Sequence, residues 1–286
     1  MDPRDVRHVG VVGCGLMGSG IVEVVARSGA DVTYVEGDED LVAHGRASIE
    51  RSVARAVERG KLDAADAETL LGRVHGVTDL AALDGTDLVI EAATEDLQAK
   101  LAIFRTLGAV TRPEVVLASN TSSIPIVELA IASGRADRVV GMHFFNPPPV
   151  MALLELTPAL TTSDETIAFV RGYGSDVLGK TCVQAKDHAG FIVNRLLVPY
   201  LFDAVRLLDD GFASAEDIDT AVRLGLSHAM GPLALMDLIG LDTMLSIGEV
   251  LYGEFRDERY APPPLLRRLV AAGRLGRKSG GGFYDA

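Results

Sequence analysis

The chain has 286 residues, with 27 Lys+Arg against 40 Asp+Glu, a formal net charge of −13, and 48% hydrophobic against 23% charged residues. That is enough chain for two domains and too apolar for disorder, and the acidic balance argues against nucleic acid, which demands a basic footprint. Two cysteines, Cys14 and Cys182, cannot build a disulfide framework, no apolar run reaches the roughly 18 residues of a spanning helix, and "MDPRDVRHVGVVGCG" runs almost directly into a strand with no signal segment, so the expectation is a soluble cytoplasmic protein with no membrane partner.

In chain order, "RHVGVV" (7–12) is a short apolar run that stops at glycines, as a buried parallel strand does. A helical pattern follows from Leu16 to about Ser28, then a strand at 30–36 and a long polar-faced helix from about Glu39 to Arg59. Strand-like runs recur at 73–78, 87–92, 115–119, 138–145 and 151–157, with helical stretches near 97–109, 124–133 and 163–178. This alternation predicts a mostly parallel sheet with helices on both faces, an α/β fold. The strand signal disappears near Lys186, after which 190–211, 214–225, 231–253 and 262–273 all read as helices. The expected organisation is a Rossmann-type nucleotide domain over 1–186 and an all-α domain over 187–286.

"GCGLMG" sets Gly13, Gly15 and Gly18 directly after the first strand and at the opening of a helix. The first allows the tight turn, the second lets backbone approach a pyrophosphate, and the third permits close helix–strand packing. The helix opening at Leu16 and Met17 offers unpaired N–H groups and the positive end of the dipole. Glu36, at the end of the second strand, suits the adenosine ribose hydroxyls. Gly37, Asp38, Glu39 and Asp40 after it supply no cation for a 2′-phosphate, so the expected cofactor is NAD rather than NADP. The acidic run also suits a helix N-terminus.

In "GMHFFNPPPVMALLEL", His143 ends an apolar strand and Glu155 lies on the next strand-like segment. If the prolines make a return loop, the carboxylate can hold one ring nitrogen and leave the other as a general base. For an isolated His and Glu a satisfied structural pair is the competing reading; a dinucleotide site nearby favours catalysis, because hydride departure must be matched by proton removal. Ser122, just past the strand at 115–119, can face the nicotinamide and substrate or cap the next helix, for which Ser123 is the better candidate. Asn194 in "GFIVNRLL" is either an interhelical hydrogen-bonding residue or a substrate-orienting group. Arg51, Arg55 and Arg59 form a stripe on one helix face with Lys61 beyond, partly neutralised if Glu58 pairs with Arg55. The stripe is either a solvated face or an anionic-substrate handle. No cluster has metal-ligand spacing, so no metal is expected.

Taken together, "VGVVGCGLMGSGI", "DLVIEAATEDLQAK", "LASNTSSIPI", "GMHFFNPPPVM", "GFIVNRLLVPYL" and "GRLGRKSGGGFY" resemble the 3-hydroxyacyl-CoA dehydrogenase family, including 3-hydroxybutyryl-CoA dehydrogenases, over nearly the whole chain. The resemblance implies an acyl-CoA substrate, oxidation of a (3S)-3-hydroxyacyl-CoA to the 3-oxoacyl-CoA, and a homodimer through the helical domain, which would also contribute to the substrate cleft. The same chemistry on a carrier-protein-bound hydroxyacyl group or a free hydroxy acid is the alternative. The resemblance implies His143 as base with Glu155 as its partner, Ser122 on the substrate hydroxyl and near the nicotinamide ribose, and Asn194 as a substrate-orienting residue. Asn146 would lie near the nicotinamide, Glu95, Lys100 and Lys278 would contact the cofactor, and Ser52 and Arg59 would contact the CoA handle. The sequence departs from the family in carrying Ala189 and Ala229 where proline is usual.

Overall fold

The computed structural model describes residues 2–285. From the N-terminus its elements are β1 (His8–Val12), α1 (Leu16–Arg27), β2 (Asp31–Val35), α2 (Glu39–Glu58), α3 (Ala64–Gly72), β3 (Val74–Val77), β4 (Leu88–Glu91), α4 (Leu97–Val110) and β5 (Val116–Ser119). Then come α5 (Ile126–Ser133), β6 (Val139–Phe144), β7 (Leu153–Pro158), α6 (Asp164–Gly172) and β8 (Thr181–Gln184). One sheet of eight strands runs in the order β3-β2-β1-β4-β5-β6-β7-β8. Every pairing is parallel except β6 with β7.

The central strands β4 and β5 are buried at every position, because helices cover both faces of the sheet. On one face Ile21, Val22 and Val25 of α1 and Ile49 and Val53 of α2 pack onto Val9, Val11, Leu88 and Ile90. On the other, Phe104 and Leu107 of α4 and Ile126 and Leu129 of α5 cover Val12, Val89 and Leu117. The strand order reverses between β1 and β4, the place where open parallel sheets leave a crevice at the strand C-termini.

The chain separates into two compact units, Met1–His188 and Ala189–Ala286. The second is helical: α7 (Val193–Asp209), α8 (Ala215–Gly225), α9 (Pro232–Ile239), α10 (Leu241–Phe255) and α11 (Pro264–Ala271). It has its own core, with Val198, Phe202, Leu233, Met236, Met244 and Leu251 at the centre.

Four features differ from the sequence expectation. Helix α3 lies where no helix was expected, and β8 adds an edge strand to the sheet. The β8 segment has only four residues, all partly or fully exposed, so it carries no buried-strand pattern. The helix expected over 231–253 is two helices, because Gly240 at φ 106° breaks it between α9 and α10. Helix α5 begins at Ile126, not at 124, and Ser123 does not cap it. The cap is Asp187, from the end of the same unit, whose carboxylate accepts from Ile126 N at 2.9 Å and Val127 N at 3.0 Å.

Candidate active site

The turn after β1 is shaped by what a side chain would strike. Gly13 has φ 88°, and a Cβ there would lie 2.7 Å from the Ala93 backbone; one on Gly18 would lie 1.9 Å from the Gly13 carbonyl oxygen. Gly15, between them, faces open space. Helix α1 starts on Gly15 with no side-chain cap, so the N–H groups at Leu16, Met17 and Gly18 have no side-chain acceptor. A cradle that excludes side chains, an open centre and an uncapped helix start fit a dinucleotide pyrophosphate. Glu36 is drawn to the rim of this turn: its Oε1 accepts from Cys14 N at 2.5 Å, and Oε2 takes no partner among the described residues. The Cys14 thiol itself is buried against α2, and burial with the nearby Glu36 charge pushes it up to about 12, so it stays protonated. Asp38 caps α2 by accepting from Leu41 N at 2.8 Å.

Strands β6 and β7 pair antiparallel with His143 directly opposite Glu155. Side chains of directly opposed residues share a face, so the return loop brings the two within reach. His143 Nδ1 lies 2.8 Å from Glu155 Oε2, with the imidazole 5% exposed and the carboxylate fully buried. A carboxylate only accepts, which assigns the ring proton to Nδ1 and leaves Nε2 as an acceptor. The Ser122 hydroxyl lies 3.1 Å from that Nε2. Three residues from separate segments thus form one line, Ser122–His143–Glu155.

The loop carrying Ser122 is held by Glu95. Its Oε1 accepts from Thr121 Oγ1 at 2.6 Å, Ser122 N at 2.9 Å, Ser123 Oγ at 2.9 Å and Ser123 N at 3.2 Å. Lys100 is only 1% exposed, its ammonium 2.5 Å from Glu91 and 3.6 Å from Glu95. Sequence reasoning missed three residues here. Asn120 Oδ1 accepts from Phe144 N at 2.8 Å and so fixes the end of the His143 strand. Glu91 joins Lys100 to the sheet. Lys180 donates to the Pro148 and Met151 carbonyls at 2.7 and 2.8 Å and pins the loop bearing Asn146; its burial pushes the ammonium below the usual lysine range.

A profile of the 3-hydroxyacyl-CoA dehydrogenase NAD binding domain matches residues 8–188, and one of the 3-hydroxyacyl-CoA dehydrogenase C-terminal domain matches residues 190–286. The chain is 51% identical over 280 residues to a 3-hydroxybutyryl-CoA dehydrogenase of Mycobacterium tuberculosis, covering 98% of each. It is 43% identical to human mitochondrial hydroxyacyl-coenzyme A dehydrogenase, over 98% of this chain and 91% of that one. The crystal structure of (S)-3-hydroxybutyryl-CoA dehydrogenase from Ralstonia eutropha superimposes with TM-score 0.93 at 47% identity, covering 98% of this chain and 99% of that one. The chain belongs to the 3-hydroxyacyl-CoA dehydrogenase family. It is an oxidoreductase of the NAD-dependent type.

In this dehydrogenase the arginine stripe faces a groove of about 710 Å³ in the first unit, lined by Arg51, Ser52, Arg55, Arg59, Lys61 and Asn146 among others. Glu58 does not pair with Arg55. Arg55 donates instead to the Arg51 carbonyl and Arg51 to Ser48 Oγ, and among the described residues none of the three arginines nor Lys61 meets a carboxylate. Four cations on one groove wall can receive a polyanion. Asn194 lies in the first turn of α7 and Lys278 in the turn Arg277–Ser279, both in the second unit. The Lys278 ammonium is 2.7 Å from Asp242 Oδ2 at the start of α10. Ala189 is buried in the helical unit, while Ala229 is exposed before α9. Among the described residues no helix is long and apolar enough to cross a membrane.

Proposed function

We propose that this dehydrogenase oxidises (3S)-3-hydroxyacyl-CoA thioesters, 3-hydroxybutyryl-CoA in particular, to the 3-oxoacyl-CoA, and runs in both directions. The observation that carries the reading is the Ser122–His143–Glu155 line, at 3.1 and 2.8 Å. His143 Nε2 takes the proton from the substrate C3 hydroxyl, and Glu155 holds the resulting imidazolium through Nδ1–H. Ser122, its hydroxyl already at Nε2, positions the substrate hydroxyl. Bound NAD would supply the acceptor for the hydride of C3. Run backwards, the imidazolium returns its proton to the carbonyl oxygen.

The glycine turn and the start of α1 hold the pyrophosphate, Glu36 takes the adenosine ribose, Asn146 serves the nicotinamide, and Glu95, Lys100 and Lys278 contact the cofactor. Ser52 and Arg59 hold the CoA handle in the cationic groove, and Asn194 orients the thioester. The short acyl preference is supported by the 3-hydroxybutyryl-CoA dehydrogenases that the chain matches almost end to end. A cytoplasmic homodimer completes the proposal; the two cysteines, both free, suit a reducing compartment.

The test is NADH consumption with acetoacetyl-CoA, with NADPH and the acetoacetyl thioester of acyl carrier protein run in parallel. Fast oxidation of NADH with the CoA thioester, and little with NADPH, is the expected result. Turnover confined to the carrier-protein thioester would move the substrate assignment, and inactivity with both would overturn the reading.

A further inference from the structure

Glu91 is a fully buried carboxylate at the end of β4, and it touches neither the groove nor the Ser122–His143–Glu155 line. All its contacts nonetheless lead to loops of the active site. Oε1 accepts from Lys100 Nζ at 2.5 Å and from Ala93 N at 2.7 Å, while Oε2 accepts from Ser119 Oγ at 2.6 Å. Ser119 Oγ in turn accepts from Thr121 N at 3.2 Å, one residue before Ser122. Ala93 is the backbone against which Gly13 of the nucleotide turn rests. A single carboxylate therefore ties together the glycine turn, the loop after β4 and the loop after β5.

Charge gives this junction a second function. Lys100 is buried with two carboxylates, Glu91 in contact and Glu95 at 3.6 Å. With Glu91 in place, Glu95 Oε1 is left to hold the backbone N–H groups of Ser122 and Ser123. Without that negative charge, the buried ammonium has only Glu95 to compensate it. Glu95 would then be drawn onto Lys100 and away from the Ser122 loop, because an uncompensated buried ammonium costs more than hydrogen bonds to a loop that is partly exposed to water.

We infer that Glu91 is a positioning residue of the reaction: by neutralising Lys100 it frees Glu95 to set the Ser122 hydroxyl against His143. The inference rests on the proposed roles of Ser122 and His143, and displacement of a positioning group by about 1 Å can cost on the order of 10²-fold in rate.

The test compares wild type, Glu91→Gln and the charge-keeping variant Glu91→Asp in acetoacetyl-CoA reduction at saturating NADH, with NADH affinity read by its own fluorescence. The wild-type rate tests the reading of the activity; the ratios of variant to wild type test Glu91. The expected result is a kcat about 10- to 100-fold lower in Glu91→Gln, with KM for the thioester and Kd for NADH each within about threefold. Glu91→Asp, which keeps a negative charge beside Lys100, should have a kcat at least about fivefold above that of Glu91→Gln, and if Glu91→Gln fails to fold it still serves, with a kcat below wild type at unchanged NADH affinity. A folded Glu91→Gln within twofold of wild-type kcat, an NADH affinity that falls as far as kcat, or a Glu91→Asp no faster than Glu91→Gln would overturn the inference.

Discussion

The tautomer of His143 follows from the carboxylate beside it. A buried carboxylate on Nδ1 leaves the ring one acceptor nitrogen, Nε2, and that nitrogen faces the Ser122 hydroxyl, which gives way to the substrate hydroxyl in the proposed reaction. Replacing the imidazole by an amide keeps much of the shape and removes the base. In His143→Gln, kcat should fall about 10³-fold, within the range assigned to general-base catalysis, while Kd for NADH by fluorescence stays within threefold. Retained turnover would sink the assignment of the base. At this scale the sequence was informative about residue types and silent about contacts. His143 and Glu155 stood out by their motif, and whether they met depended on a loop whose course composition cannot give. Glu91, Asn120 and Lys180 carried no local signal at all, since each acts on partners 24 to 32 residues away or on a loop assembled only in the folded unit.

Secondary-structure elements determine where charge lies. Helix α2 puts Arg51, Arg55 and Arg59 on one side by its 3.6-residue period, and their failure to find carboxylates leaves the groove cationic in a chain of net charge −13. If this wall receives the CoA phosphates, the double variant Arg55→Ala/Arg59→Ala should raise KM for acetoacetyl-CoA roughly tenfold with kcat little changed. The KM of wild type should rise with salt more steeply than that of the variant, because exposed charge pairs are screened over about 10 Å at 0.1 M. An unchanged KM, equally insensitive to salt, would return the stripe to a solvated helix face. The long amphipathic helices and buried strands were legible because their patterns repeat over many residues. Helix α3, strand β8 and the break at Gly240 were not, being short or set by one glycine. Ser123 looked like the cap of α5 because only a nearby residue can be proposed from sequence. The carboxylate that caps it, Asp187, is 61 residues from Ile126.

For the whole molecule, the two units have separate cores, and the helical one exposes large apolar side chains: Phe212 is 79%, Leu224 70% and Leu226 61% exposed. Single exposed leucines need no explanation, but several on one small helical unit fit an interface with a second copy. Sedimentation equilibrium at micromolar concentration should give twice the chain mass, and a monomer there would remove the homodimer from the proposal. The sequence by itself determined the class of each unit and the glycine turn of the NAD-binding domain, and it marked out the residues proposed to do the chemistry. These are written in local spacing: three glycines around one turn, a strand period of two and a helix period of 3.6. Tertiary structure alone decided that β7 runs antiparallel to β6 in the register that joins His143 to Glu155, and that Glu91, Lys100 and Glu95 share one buried junction. Pairing register and the neutralisation of buried charge depend on groups brought together across the sheet, and no local pattern in the chain encodes which of them will meet.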